Sequence, residues 1–314
     1  MFALCAEASH SIGMGHLFRA LTLANELERR GFPTKLYVND DPAALEVVRA
    51  RHHAWRVRPD ESPTWDARMI REDRISTWIN DRLDTTAEHC EAVVNAGARI
   101  VGFDDRGPAA ALLDINVAPL PVASGVRPAG KLILSGLQYM IVNPNIEHFR
   151  RVRKTPSRLV ISMGGSDGFD LTFAAVRALR KRGLGGTVVL GPGFRHCDAI
   201  NSEVDHRFVI KRNVPDLPTE FANHDLALTA GGVTLCEALA AGLPCIVVAA
   251  EKWEEDTARF FEDARAVLYA GFRGDADFSV LDRIPPSIEQ MSKAALAIVD
   301  VRGVQRVADA LIAL

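Results

Sequence analysis

Short apolar runs alternate with amphipathic stretches along the whole chain, the pattern of parallel strands joined by crossover helices. In the first half, Phe2–Ala6, Thr34–Val38, Ala54–Val57, Ser76–Ile79 and Arg99–Phe103 predict strands. Helical periodicity lies between them, clearest over Leu17–Arg30 and Thr86–Ala96, and Gly31-Phe32-Pro33 predicts the stop of the first helix. A second series opens after Arg150–Pro156, a basic, proline-ended stretch that reads as a linker. Its predicted strands are Arg158–Ser162, Thr187–Leu190, Phe208–Ile210, Leu226–Leu228 and Cys245–Val248, and Ser287–Leu314 reads as two helices around Asp300–Gly303. The expectation is an α/β fold in two Rossmann-like domains, residues 1–150 and 151–314, with parallel sheets facing a central cleft. Open parallel sheets bind ligands at the carboxyl ends of their strands, so the cleft between two such sheets is the expected site.

Composition narrows the class. A chain of 314 residues with 48% hydrophobic content can fill two cores. The 37 basic and 40 acidic residues are interspersed, with a net charge of −3, which calls for neither nucleic acid nor an anionic membrane as partner. The segment Val48–Arg58 comes nearest to a basic, apolar patch. Five cysteines without C-x-x-C spacing suit a reducing, cytoplasmic setting with no zinc and no disulfide. Glu7 interrupts the apolar start, so no signal peptide is expected, and no run approaches the roughly 20 apolar residues of an integral membrane segment.

Glycine-rich turns carry the candidate chemistry. The first strand runs through Ala8–His16, containing Gly13-Met14-Gly15-His16, straight into a helix. Small residues let the backbone approach a ligand there, and free N–H groups at the helix start favour negative charge. His16 at the opening can face the crevice as a proton acceptor, although an isolated histidine is more often a surface or cap residue. The full G-x-G-x-x-G spacing is missing, which disfavours a nicotinamide oxidoreductase. The second turn, Met163–Thr172, offers Gly164 and Gly165 N–H groups and the Ser166 hydroxyl to a pyrophosphate; helix capping by Ser166 or Asp167 is the alternative. Leu190–Phe194 reads as a plain turn. The fourth, Thr229–Pro244, puts Glu237 in a short, otherwise apolar helix, where ribose hydroxyls would suit it as donors, unless it pairs with a base or caps the helix.

These residues resemble a known family. Gly13-x-Gly15-His16-x-x-Arg19-x-Leu21-x-Leu23-Ala24, Gly164-Gly165-Ser166-Asp167 with Leu171-Thr172, Ala230-Gly231-Gly232-x-Thr234-x-x-Glu237-Ala238 with Gly242-x-Pro244, and Asp300-x-x-Gly303-x-x-Arg306-Val307 are similar, in order and over nearly the whole chain, to the family of the UDP-2,4-diacetamido-2,4,6-trideoxy-β-L-altropyranose hydrolase of pseudaminic acid biosynthesis, which includes spore coat polysaccharide biosynthesis proteins. The resemblance implies a GT-B architecture and a UDP-sugar substrate. It also implies His16 as general base on a water attacking the anomeric carbon with inversion, and neither metal nor cofactor. It assigns Gly15, Gly164, Gly165, Ser166, Asp167, Gly232, Val233, Thr234 and Glu237 to the nucleotide. Gly13, Met14, Asn80, Asp81, Arg82, Asp105, Tyr139, Trp253 and Glu254 fall on its sugar side.

Several sugar-side positions depart from the family. Cys5 and Glu7 replace Arg and Asp; Asn80-Asp81-Arg82 replaces Asp-x-Tyr; Asn143 replaces Arg; Trp253-Glu254 replaces Asn-Gln. The pattern predicts a shared nucleotide with a different sugar or acceptor. An inverting UDP-sugar glycosyltransferase needs the same base and leaving-group site, and a non-catalytic nucleotide-sugar binder needs only the second half, so both stand as alternatives.

Overall fold

A computed structural model describes the chain except residues 52–53, 60–61, 121–126, 213 and 215. The first sheet contains β1 Phe2–Ala6, β2 Thr34–Val38, β3 Trp55–Val57, β4 Thr77–Asp81, β5 Arg99–Phe103, β6 Ile115–Ala118 and β7 Leu132–Ser135, all parallel, in the order β3-β2-β1-β4-β5-β6-β7. The second contains β8 Leu159–Ser162, β9 Gly186–Leu190, β10 Phe208–Arg212, β11 Leu226–Thr229, β12 Cys245–Ala249 and β13 Val267–Phe272, again parallel, in the order β10-β9-β8-β11-β12-β13. Their helices are α1 Gly15–Arg29, α2 Pro42–Ala50, α3 Pro63–Glu72 and α4 Ala87–Asn95, then α5 Leu171–Lys181, α6 Cys197–Glu203, α7 Leu217–Ala222, α8 Val233–Ala240, α9 Lys252–Asp263, α10 Glu289–Ile298 and α11 Gly303–Ile312.

The order of each sheet follows from burial. β1 and β12 are covered on both faces and bury all five residues, as their unbroken apolar runs predict. Edge strand β7 buries only Leu134. On α1 the buried stripe Leu17, Ala20, Leu21, Ala24 and Leu27 follows the helical period and packs on the first sheet. Its stop is Gly31, at φ +86°, in the left-handed region glycine enters without a Cβ penalty.

Two parts of the chain cross between the cores. The cluster under the second sheet takes in Met140, Val142 and Ile146 from before β8, while α11 packs Val304, Val307, Ala308 and Leu311 into the core of the first sheet, against α1. The connecting stretch 150–156 is not a solvated linker. Arg150 donates to the carbonyls of Ala240, Leu296 and Val299. Arg153 is fully buried and donates to the carbonyls of Arg151, Phe221, His224 and Ala241, capping the carboxyl ends of α7 and α8. Burial pushes its guanidinium down to about 10.

The basic stretch after α2 also turns inward in part. Arg58 pairs with buried Asp66 at 2.7 Å, and Arg49 and Arg51 lie over the Trp55 and Phe18 rings; His52 and His53 are outside the described residues. Among the described residues no helix is long and apolar enough to cross a membrane.

Candidate functional site

β1 and β4 are neighbours in register, with Ala6 opposite Asp81, so the loop leaving β1 passes the Asp81 side chain before α1 begins. His16, in the first turn of α1, places Nδ1 2.6 Å from Asp81 Oδ1. Arg19, one turn along the same helix face, donates from Nε and Nη2 to both Asp81 oxygens at 2.8 and 2.5 Å, and from Nη1 to Asp104 at 2.7 Å. The Phe103 ring lies 4.8 Å from this guanidinium. Burial alone would raise the Asp81 carboxyl, but Arg19 and His16 outweigh it and hold it well below the usual carboxylate range. An ionised carboxylate only accepts, so Nδ1 carries a hydrogen, and the lone pair of the neutral ring is then on Nε2. His16 is thereby held by Asp81 at Nδ1 with its side chain 26% exposed, while Asp81 and Arg19 are buried beneath it.

The turn carrying His16 meets the second half directly. A methyl group added at Gly165 would overlap the Met14 side chain; one at Gly15 would lie 3.5 Å from Val233 Cγ2, and one at Gly168 3.0 Å from the His10 carbonyl. His10 Nδ1 also lies 2.9 Å from the Gly193 carbonyl, and Gly193 N–H donates to the Gly165 carbonyl at 2.8 Å. Leu190–Phe194, read as a plain turn from sequence, is therefore part of the junction. Gly15 and Val233 are the first residues of α1 and α8, so the two helix N-termini abut. Neither has a side-chain cap, and neither carries an acid in its first turn. Both present first-turn N–H groups and the positive end of the helix dipole.

Around this junction the nucleotide-side residues gather. Gly164 lies beside Thr234 and Ser166 beside Gly13 and Gly193. One turn into α8, half-buried Glu237 accepts from Asn143 N–H at 3.3 Å, and Asn143 Nδ2 donates to Asp216, also at 3.3 Å. Burial raises the Glu237 carboxyl to about 7, with Asp216 adding to the shift. Asp167 stands apart. Its oxygens accept from Leu171 and Thr172 N–H at 2.9 and 2.8 Å, so it caps α5 and is not turned to a ligand.

The sugar-side positions are reassigned more widely. Asp81 orients His16 and has both oxygens engaged. Asn80 is fully buried; it accepts from Trp78 Nε1 at 2.9 Å and from Arg82 at 3.2 Å, and its Nδ2 donates to His89 Nε2 at 3.0 Å. Asp105 is also interior, accepting from Gly107 N–H at 3.0 Å to close a turn. Glu254 is buried and accepts from Ala250 N–H at 2.7 Å, completing the cap of α9. Met14 is 1% exposed and plugs the junction. Tyr139 sits in a single 3-10 turn packed on the first core near α11. Arg82, directly after β4, and Trp253, in the first turn of α9, remain half-buried, with Gly13 across from Ser166.

Sequence reasoning missed the roles of Arg19 and Asp104. The available signal was the three-residue spacing of His16 and Arg19, which puts both on one helix face.

No protein-family model matches the chain. It is 26% identical over 283 residues, 85% of its length and 82% of the relative's, to the spore coat polysaccharide biosynthesis protein SpsG of Bacillus subtilis (strain 168). Among solved structures, MurG of Acinetobacter baumannii superposes with a TM-score of 0.69 at 14% identity, covering 100% of this chain and 99% of that one. HepE of Anabaena, solved in complex with UDP, does so with a TM-score of 0.65 at 15% identity, covering 100% of both chains. The two parallel sheets, abutting through the turns at their carboxyl ends, thus form the GT-B glycosyltransferase fold.

Proposed function

We propose that the protein is a nucleotide-sugar enzyme of glycan biosynthesis, with His16 Nε2 as general base and a diphosphate leaving group held between the two halves. The observation that carries this reading is the junction itself. The uncapped N-terminus of α1, bearing a histidine fixed by Asp81, meets the uncapped N-terminus of α8. Two converging positive helix ends with no acid in the first turn of either suit a diphosphate, whose departure they also assist. Gly164–Ser166 would flank it and Glu237 would accept from the ribose hydroxyls, with UDP as the nucleotide. HepE, of like fold, was solved with UDP, and SpsG is named for polysaccharide biosynthesis; both support the assignment.

In the reaction Nε2 takes a proton from the attacking oxygen, that oxygen bonds to the anomeric carbon from the face opposite the diphosphate, and the C–O bond to the diphosphate breaks with inversion. We favour water as the nucleophile, because the motifs around His16, Gly164 and Glu237 resemble those of the hydrolase family. The GT-B fold favours the second reading, in which a sugar or lipid hydroxyl attacks.

The test is incubation with UDP-, dTDP-, GDP- and CMP-sugars while nucleotide release is followed with and without acceptor alcohols. Release without acceptor, lost in His16→Ala, supports hydrolysis; release only with acceptor supports transfer. Failure of every nucleotide to bind would refute the assignment.

A further inference from the structure

Arg273 directly follows β13, and its backbone N–H donates to the Ala249 carbonyl at the end of β12. Its guanidinium carbon lies 3.4 Å from the centre of the Phe169 ring and 5.4 Å from that of Phe272. Phe169 follows β8 in the turn that begins Gly164-Gly165-Ser166 and is itself 39% exposed. Because β11 and β12 lie between β8 and β13 in the sheet, the stacked pair spans the carboxyl ends of those two strands. The loop carrying Gly164–Ser166 and the start of α8, which packs on β11 and β12, emerge from the same carboxyl edge of the sheet.

Among the described residues the Arg273 side chain makes no hydrogen bond or ion pair, and its Nη1 is buried without a partner. Several other arginines of this half are paired, among them Arg158 with Asp225, Arg182 with Asp282 and Arg207 with Asp205. Stacking on a ring satisfies the face of a guanidinium but leaves its edge, a planar fork of N–H donors shaped for carboxylate or phosphate. A buried donor left unmade is costly, and an anion arriving at that edge would recover the cost.

We infer that Arg273, presented on Phe169, recognises an anionic group carried by the sugar of the nucleotide-sugar substrate. The inference rests on the function proposed above. With the nucleoside at Glu237 and the diphosphate at the helix junction, a sugar lying along the carboxyl ends of β12 and β13 would meet this guanidinium, whose edge is unmatched among the described residues.

Calorimetric binding of UDP, UDP-N-acetylglucosamine, UDP-glucuronate and UDP-6-phospho-N-acetylglucosamine to wild type, Arg273→Gln and Arg273→Lys tests it. Wild type is expected to prefer at least one of the two acidic sugars to the neutral one by about tenfold, and which acid it prefers tells carboxylate from phosphate. Arg273→Gln should abolish that preference and leave the affinity for UDP unchanged, with Arg273→Lys in between. UDP binding without any preference for an acidic sugar overturns the inference alone. An equal loss for all four ligands in Arg273→Gln overturns it too, by making Arg273 a diphosphate contact. No UDP binding by wild type overturns the proposed function, and this inference with it.

Discussion

Asp81 stands 65 residues from His16 in sequence and 2.6 Å from it in space, and that pairing decides what the histidine can do. Asp81→Asn would let the amide donate to Nδ1 and favour the tautomer with hydrogen on Nε2, removing the base. Turnover should fall roughly 10²- to 10⁴-fold with little change in nucleotide affinity. Steady-state kinetics beside UDP titrations check this, and a matched loss of affinity would contradict the role. Glu237 gives a pH signature. Its carboxyl is raised from 4.5 to about 7, so the folded protein holds this proton more tightly than the unfolded chain. The stability it confers is full below pH 4.5 and is lost as pH rises toward 7. Glu237→Gln should therefore flatten the fall in melting temperature across that window. Ribose hydroxyls donating to the carboxylate would lower its affinity for the proton, so UDP binding near pH 7 should release protons, seen as a buffer-dependent binding enthalpy. His16 was legible because it opens a helix after a glycine turn, whereas its partner depends on strand order, which one sequence does not display.

Elements were most legible where burial is complete. Phe2–Ala6, Thr34–Val38 and Arg99–Phe103 read from sequence coincide with β1, β2 and β5. β6, β7 and β13 escaped notice for physical reasons. β6 is four residues long, edge strand β7 leaves three of its four residues exposed, and β13 contains Gly271 at φ +110°. The role of Arg153 was equally hidden, since carbonyls at helix ends leave no mark in sequence. Replacing it with Leu strips donors from four carbonyls and should destabilise the protein by about 3 kcal/mol in urea unfolding. An effect below about 0.5 kcal/mol would mean that water replaces the guanidinium at no cost. At the junction, Gly165→Ala should weaken UDP binding by forcing Met14 away, and Met14→Gly should restore it. Failure of the second change to rescue the first would show that the two turns do not couple.

For the whole molecule, chain order and core membership disagree. Residues before β8 help fill the second core and α11 helps fill the first, a crossing that the division at residue 150 does not express. Leu311→Ala should cost about 2–5 kcal/mol and be felt in the first half, where Trp55, Trp65 and Trp78 report by fluorescence. A variant that loosens only the second half would contradict this packing.

The same helix sets a schedule for synthesis. Domains usually fold as they emerge from the ribosome, earlier ones first. Here the stripe of α1 meant for Val304, Val307 and Leu311 stays uncovered until some 270 further residues have been translated, counted from Arg29 to Gly303. The first half must wait, partly open, for a segment made after the whole of the second sheet. Cutting the chain after residue 150 would make that exposure permanent, so a fragment of residues 1–150 is expected to aggregate unless a peptide of residues 303–312 is supplied with it.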